Sequence, residues 1–242
     1  MSINARLRDA DLRNAKLKNA HLSSTDLHST DFGHADLNGA NLSYANLHSA
    51  DLNTTNLSDT DLSYVNLNGA NLSNADLSGT DLSYSDLSNA DLSNADLSNA
   101  NLSSANLLGA NLGKADLSGA HLSTASLNNA NLISVNLSSA DLANANLIGA
   151  DLSYANFIGA NLSNANLSNA DLSYAGLSSA NLSNANLGYA NLGNANLNYA
   201  YLGNADLHDA DLNGVKGVVP GQFTDDQLSS MRLSPPIAEP EE

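Results

Sequence analysis

A leucine or phenylalanine occupies every fifth residue from Leu7 to Leu212, which makes 42 consecutive positions. Only Phe32 and Phe157 are not leucine, and the residue two before each position is small, being alanine at 34 of the 42. A step of two keeps both side chains on one face of an extended segment, and the following step of three forces the chain to turn. The pattern therefore predicts that each pentad is a very short strand followed by a corner. The chain then winds into a coil with alanine and leucine inside.

The residue two after each leucine indicates how many sides the coil has. Seven glycines from Gly39 to Gly159 keep to alternate pentads, and most tyrosines keep to the other set. If like residues stack on like, the number of sides is even, and four sides make a coil of twenty residues. Tyr44, Tyr64 and Tyr84 then stand in one column. Glycine also predicts a turn that requires a positive φ.

The repeated motif resembles that of a known family. Ala-Asp/Asn-Leu-Ser-x, as in Ala90-Asp91-Leu92-Ser93-Asn94, is similar to the repeat of pentapeptide-repeat proteins over residues 5 to about 215. The resemblance implies an all-β fold, the right-handed quadrilateral β-helix. We expect this β-helix to occupy residues 1–215. At twenty residues a coil, it has about ten four-sided coils and a length of ~50 Å, because neighbouring strands lie ~4.8 Å apart.

The chain after the repeat predicts a C-terminal cap at residues 216–233. Thr224 followed by Gln227 is a capping-box signature, so we expect a short capping α-helix over about 225–233. Residues 234–242 contain three prolines and three glutamates, which is typical of a disordered tail. The cap is interpreted as a lid over the last coil. The alternative is a dimer contact, because family members that dimerise often use such a module. Its apolar anchors are Phe223, Leu228, Met231 and Leu233.

Composition limits the environment and the partners. The chain has no cysteine, so it has neither disulfides nor a thiolate metal site. It has no apolar run near the ~18 residues of a membrane span and no signal-peptide core. The net charge is −17, although residues 1–19 alone carry +3. We expect a cytoplasmic protein, with a Gram-negative periplasm as the alternative, that binds neither membranes nor nucleic acid directly.

The search for catalytic chemistry identifies no site. Serine, aspartate and histidine all occur, but nucleophile elbows, phosphate loops, zinc motifs and dinucleotide fingerprints do not. We therefore expect no enzymatic activity, no catalytic residues, no cofactor and no metal. His28 and His48 are twenty residues apart and should lie ~5 Å from each other on adjacent coils. We interpret them as surface residues, with a shared metal ion as the alternative.

Aspartates before the leucines form the candidate interaction surface. Like charges ~5 Å apart repel by about 1 kcal/mol even in bulk water. Interspersed asparagines relieve this repulsion on one interpretation; on the other, the columns display negative charge to a basic partner. One column contains Asp11, Asp31, Asp51, Asp91, Asp151, Asp171 and Asp211, and a second contains Asp76, Asp96 and Asp116 in succession. The aromatic column of Tyr44, Tyr64 and Tyr84 is a further candidate contact surface, with aromatic cross-strand packing as the alternative explanation.

These features lead to three functional hypotheses. The first is a non-enzymatic interaction or structural rod with a protein partner, monomeric or dimeric through an end cap. The second follows from the resemblance, because some pentapeptide-repeat proteins act on DNA gyrase and confer quinolone or toxin resistance with rods that resemble DNA. The average charge spacing, roughly 3 Å against about 1.7 Å for duplex DNA, is compatible with such mimicry. The third is cation binding along the aspartate columns.

Overall fold

The computed structural model describes residues 7–217 together with Thr224 and Gln227. From Asp11 to Asn196, every fifth residue forms a single-residue parallel β-bridge with the residue twenty positions later. Four pentads therefore make one turn of the coil, which confirms the twenty-residue coil predicted from the sequence. Each side of the coil contributes one bridge residue, and two turn residues separate it from the next side.

Hydrogen bonding explains why the residue before each leucine is usually Asp or Asn. In the pentad 91–95 every backbone N–H has an acceptor, and three of the five bonds join neighbouring coils. The side chain before the leucine accepts the one N–H that no backbone carbonyl reaches, so it completes the pairing of the backbone donors. The five bonds are Asp91 N to Ala70 O (2.9 Å), Leu92 N to Asn111 O (2.7 Å), Ser93 N to Asp91 Oδ1 (3.0 Å), Asn94 N to Gly113 O (3.0 Å) and Ala95 N to Leu92 O (3.1 Å).

The corners are type II turns. In each pentad from Leu7 to Leu212, the residue two after the leucine has a φ between 53° and 71°. The N–H of the following residue donates to the carbonyl of the leucine, as Ala15 N does to Leu12 O at 3.1 Å. The predicted positive-φ turn is confirmed, and it occurs on all four sides, including those without glycine. Asn, Asp and Ser occupy most of these positions, and seven are tyrosine.

Glycine at these corners has a steric reason beyond its φ. A Cβ on Gly119 would lie 2.6 Å from Asn99 Oδ1 in the preceding coil, and a Cβ on Gly39 would lie 2.6 Å from Asn19 Oδ1. Asn and Asp side chains on one coil therefore lean over the corner of the next coil. This explains why glycine alternates with polar residues along this column from Asn19 to Gly119.

Leucine and alanine fill the axis of the coil as predicted. At the every-fifth-residue positions, each leucine and phenylalanine from Leu27 to Leu197 is 0% exposed. Threonines that replace alanine remain buried because their hydroxyls donate to carbonyls of the preceding coil. Thr55 Oγ1 lies 2.9 Å from Phe32 O, and Thr60 Oγ1 lies 3.0 Å from Leu37 O. The core therefore accepts hydroxyl groups without losing hydrogen bonds.

The two ends of the rod differ in how far the core is covered. Leu7, Leu12, Leu17 and Leu22 are only partly buried, whereas Leu212, the last leucine of the repeat, is 5% exposed.

Part of the predicted cap lies within the described residues. Thr224 N donates to Gln227 Oε1 (2.9 Å), and Gln227 N donates to Thr224 Oγ1 (3.2 Å), which is the reciprocal capping box. Gln227 is helical, and its Nε2 donates to Leu202 O (3.2 Å) and Ala205 O (2.8 Å) of the last coils. The rest of the predicted helix and its four apolar anchors, Phe223, Leu228, Met231 and Leu233, lie outside the described residues. No helix among the described residues is long and apolar enough to cross a bilayer.

Candidate interaction surface

The aspartate columns predicted from the sequence lie on the outside of the coil, at the bridge positions. Asp11 pairs with Asp31 and Asp31 with Asp51, and each step joins adjacent coils. Asp151 likewise pairs with Asp171. The second column is brought together in the same way, since Asp76 bridges to Asp96 and Asp96 to Asp116. Asp91 and Asp211 bridge to asparagines, namely Asn71, Asn111 and Asn191.

Asparagines in these columns reduce the repulsion between carboxylates. Asn71 Nδ2 donates to Asp51 Oδ1 at 3.0 Å, and Asn136 Nδ2 donates to Asp116 Oδ1 at 2.9 Å. An amide therefore replaces a like-charged neighbour with a hydrogen-bond donor, as the first interpretation of the columns expected. Asp76 and Asp96 have no asparagine between them, and the ion pairs of the described chain do not include them.

Negative charge is concentrated in the N-terminal half of the rod. Residues 26–116, which we call the acidic band, contain twelve aspartates and one cationic residue, Lys114, giving −11. Residues 117–205, the weakly charged band, contain three aspartates and no cation, giving −3. At twenty residues per ~4.8 Å coil, the acidic band carries one charge per ~2 Å and the weakly charged band one per ~7 Å. The whole-rod average of roughly 3 Å therefore hides two different surfaces.

The tyrosine column predicted from the sequence is present as a stack. The Tyr44 and Tyr64 rings lie 4.9 Å apart with 5° between their planes, and Tyr64 and Tyr84 lie 4.9 Å apart with 6°. Their exposed fractions are between 48% and 62%. A second stack joins Tyr154 and Tyr174, also at 4.9 Å. All five tyrosines occupy the positive-φ corner.

Three carboxylates beside the first stack were missed in the sequence analysis. Asp61 and Asp81 lie three residues before Tyr64 and Tyr84, and Asp86 lies two residues after Tyr84. They occupy the two columns with the fewest acids, so the density of aspartates did not single them out. Their position, two or three residues from a stacked tyrosine, is the sequence signal that could have identified them.

Two arginines of the N-terminal coil are paired with aspartates. Arg8 Nε lies 2.5 Å from Asp26 Oδ2, and Arg13 contacts both Asp11 (2.7 Å) and Asp31 (3.4 Å). Hydrogen bonding to Arg13 lowers the pKa of Asp11 to about 2, and hydrogen bonding to Arg8 lowers the pKa of Asp26. The positive charge therefore neutralises the first carboxylates of the columns, whereas the ion pairs among the described residues include no lysine or arginine at the later ones.

Histidines and concave surfaces offer little catalytic chemistry. The rings of His28 and His48 stack at 5.1 Å, which confirms their placement on adjacent coils. Within the described part of the chain, no group of three or more His, Asp or Glu side chains is arranged to hold a metal ion. An open pocket of about 300 Å³ lies on the surface of the rod beside Gly113. It is lined by Ser93, Asn94, Gly113, Lys114, Asn131 and Ile133. It lacks histidine and carboxylate groups that would activate the hydroxyl of Ser93.

Comparisons with known proteins agree with the geometry. Eight copies of the model for pentapeptide repeats match residues 5–43, 20–59, 40–79, 80–119, 110–147, 140–175, 150–188 and 175–214. A comparison with curated proteins finds no match. The crystal structure of HetL, a pentapeptide-repeat protein involved in heterocyst differentiation regulation in the cyanobacterium Nostoc sp. strain PCC 7120, is 36% identical. The match covers 89% of this chain and 92% of HetL, with a TM-score of 0.52.

A trypsin-treated form of QnrB1, a plasmid-mediated fluoroquinolone resistance protein, is similar in fold. It is 22% identical, and the match covers 88% of this chain and 91% of QnrB1 with a TM-score of 0.51. At this identity the likeness concerns the fold alone.

Proposed function

Since this chain belongs to the pentapeptide-repeat family, we propose that it is a non-enzymatic binding rod whose acidic band, residues 26–116, binds a basic surface of a partner protein. The observation that supports this most is the charge of −11 in that band, held on the outside of a rigid coil. Carboxylates fixed on a rigid scaffold lose little conformational entropy when a partner binds. A partner with lysines and arginines would therefore gain both attraction and faster encounter.

The placement of the charge can be tested with two matched variants. The first replaces Asp76, Asp96 and Asp116 with Asn, and the second replaces Asp141, Asp151 and Asp171 with Asn. Each removes three charges, and Asn already occupies equivalent positions in other coils. Binding of a deca-lysine peptide, measured by calorimetry at low salt, is expected to weaken by about tenfold in the first variant and by about twofold or less in the second, on the scale of exposed ion pairs. Equal weakening in both variants would contradict the proposal.

The alternative function is mimicry of DNA toward a type II topoisomerase such as DNA gyrase. The charge spacing in the acidic band favours it, because ~2 Å per charge is close to the ≈ 1.7 Å of duplex DNA. Gyrase supercoiling assays, with and without a quinolone, distinguish the two functions. An effect at micromolar protein supports mimicry, and the absence of any effect leaves the general binding rod.

The same proposal covers the rest of the molecule. The β-helix is right-handed, has about ten coils and is closed at its C-terminal end by a short helix over about 225–233. It acts in the cytoplasm as a monomer or as a dimer through this end cap, without enzymatic activity, cofactor or direct contact with nucleic acid. The capping box of Thr224 and Gln227 supports the helical cap. Sedimentation equilibrium distinguishes the monomer from the dimer.

A further inference from the structure

The stacked tyrosines share a local sequence with the stacked aspartates beside them. Asp-Leu-Ser-Tyr occurs on two adjacent coils, at residues 61–64 and 81–84, and again at 151–154 and 171–174. In each case two carboxylates pair across the bridge with no asparagine between them, three residues before two stacked rings. The chain thus places aromatic rings and adjacent carboxylates together.

The fold does not require these tyrosines. They occupy the positive-φ corner, where an L side chain is disfavoured and Asn is better tolerated. In the same column as Tyr84, Asn144 and Asn164 hold this corner with φ of 60° and 58°. The rings are also half-exposed. Their presence is therefore better explained by recognition than by stability.

The carboxylates beside the first stack are fixed in place and take part in none of the ion pairs among the described residues. Asp61 accepts hydrogen bonds from Ser63 N (3.0 Å) and Asn41 Nδ2 (3.2 Å). Asp81 and Asp86 are held in the same way, by N–H groups of the serines two residues on and by asparagine amides of the next coil. Sequence positions 19–113 contain no lysine or arginine. These oriented carboxylates therefore remain available to a cation from outside.

The two ends of the stack are open. Ser104 follows Tyr84 in the column and Ser24 precedes Tyr44, so no further ring covers the outer faces of the end rings. A planar guanidinium can stack on such a face while its N–H groups pair with a carboxylate, whereas an ammonium is a compact charge without a planar face.

We propose that Tyr44, Tyr64 and Tyr84, with Asp61, Asp81 and Asp86, form an arginine-recognition site within the acidic band. The site binds an arginine-containing segment of the basic partner and distinguishes it from a lysine-containing one. This inference rests on the proposed function and adds that arginine is the residue of the partner that the site recognises.

Calorimetry with deca-arginine and deca-lysine tests the site. The wild-type rod is expected to bind deca-arginine about three- to fivefold more tightly than deca-lysine, the scale of one exposed cation–π contact. A variant with Tyr44, Tyr64 and Tyr84 replaced by Asn should bind both peptides equally, at the deca-lysine affinity of the wild type. Asn suits the positive-φ corner, so circular dichroism should show an intact fold.

A matched control uses the second stack. Replacing Tyr154 and Tyr174 with Asn removes a pair of rings stacked in the same way. The residues two after these tyrosines are Asn156 and Gly176, whereas the corresponding residues of the first stack are Asn66 and Asp86. The second stack therefore lacks the counterpart of Asp86. Because this stack lies in the weakly charged band, the arginine preference should remain within about twofold of wild type.

The possible failures are distinguishable. Equal wild-type affinities for the two peptides, or a preference that survives the triple replacement, would overturn the arginine site and leave the acidic binding rod standing. Failure of both peptides to bind the wild-type rod would overturn the proposed function and the arginine site together.

Discussion

The acidic band and the weakly charged band share one backbone conformation and differ in the charge of their outward-facing side chains. The pentad 91–95 belongs to the first band and the pentad 161–165 to the second. Ser93 N donates to Asp91 Oδ1 at 3.0 Å, and Ser163 N donates to Asn161 Oδ1 at 3.2 Å. Because Oδ1 of either side chain accepts this bond, the fold tolerates Asp or Asn before the leucine. The comparison teaches that surface charge in this coil can vary without changing the architecture.

Core substitutions give the largest expected effect and test whether the two bands are equally stable. Leu92→Ala and Leu162→Ala should each lower the free energy of unfolding by about 2–5 kcal/mol, because both leucines are fully buried. Urea unfolding followed by circular dichroism measures both. A difference of more than about 1.5 kcal/mol between them, a large part of the expected range, would show that the cores are not equivalent.

Corner glycines give the next largest effect. A Cβ at Gly79 would meet Asp59 Oδ1 at 2.8 Å, and at Gly149 it would meet Asn129 Oδ1 at 2.7 Å. Alanine at either position should cost about 1–2 kcal/mol because the corner is left-handed.

Gly69 provides the control for this pair, because its Cβ would meet only Ser49 Oγ, at 3.7 Å. All three glycines have nearly the same φ, between 65° and 66°. Gly69→Ala should therefore cost less than Gly79→Ala and Gly149→Ala, as measured by chemical denaturation. An equal cost at all three positions would mean that the side chain of the preceding coil does not matter.

A single charge change should affect stability more in the acidic band than in the weakly charged band. Asp96 lies between Asp76 and Asp116, so Asp96→Asn should stabilise the rod by about 1 kcal/mol at low salt, and the gain should fade in 1 M salt. Asn166→Asp introduces a charge between Asn146 and Asn186 and should change stability by about 0.5 kcal/mol or less. Thermal unfolding at the two salt concentrations tests both. A stabilisation that persists in 1 M salt would exclude repulsion as its cause.

The smallest effect is expected at the N-terminal coil, where Arg8 and Arg13 form ion pairs with aspartates. The folded-state pKa of Asp11 is lowered to about 2 by its hydrogen bonds to Arg13, below the ordinary value of 3.8. Its contribution to stability is therefore present above about pH 4 and is lost as the pH falls toward 2. Arg13→Gln should lower the melting temperature slightly at pH 7, and this effect should be smaller at pH 2, where Asp11 is partly protonated. A difference that is constant across this range would point to lost packing of the arginine stem.

Sequence periodicity was sufficient for the coil and insufficient for the surface. The five-residue step of leucine and the twenty-residue spacing of Tyr44, Tyr64 and Tyr84 predicted the side length and the stacking, and the corner glycines predicted a turn with a positive φ. Periodicity did not reveal that Gly119 avoids the side chain of Asn99, because that contact depends on how a side chain leans across coils. It also did not give Asp61, Asp81 and Asp86 a role, since the role proposed for them depends on the tyrosines beside them.

Photo-crosslinking tests the central claim most directly. A deca-lysine peptide carrying a terminal photoreactive group is bound to the rod at low salt and irradiated, and the attached residues are identified by mass spectrometry. The account predicts adducts concentrated within residues 26–116 and few within 117–205. Adducts spread evenly over both bands, or concentrated in the weakly charged one, would contradict it.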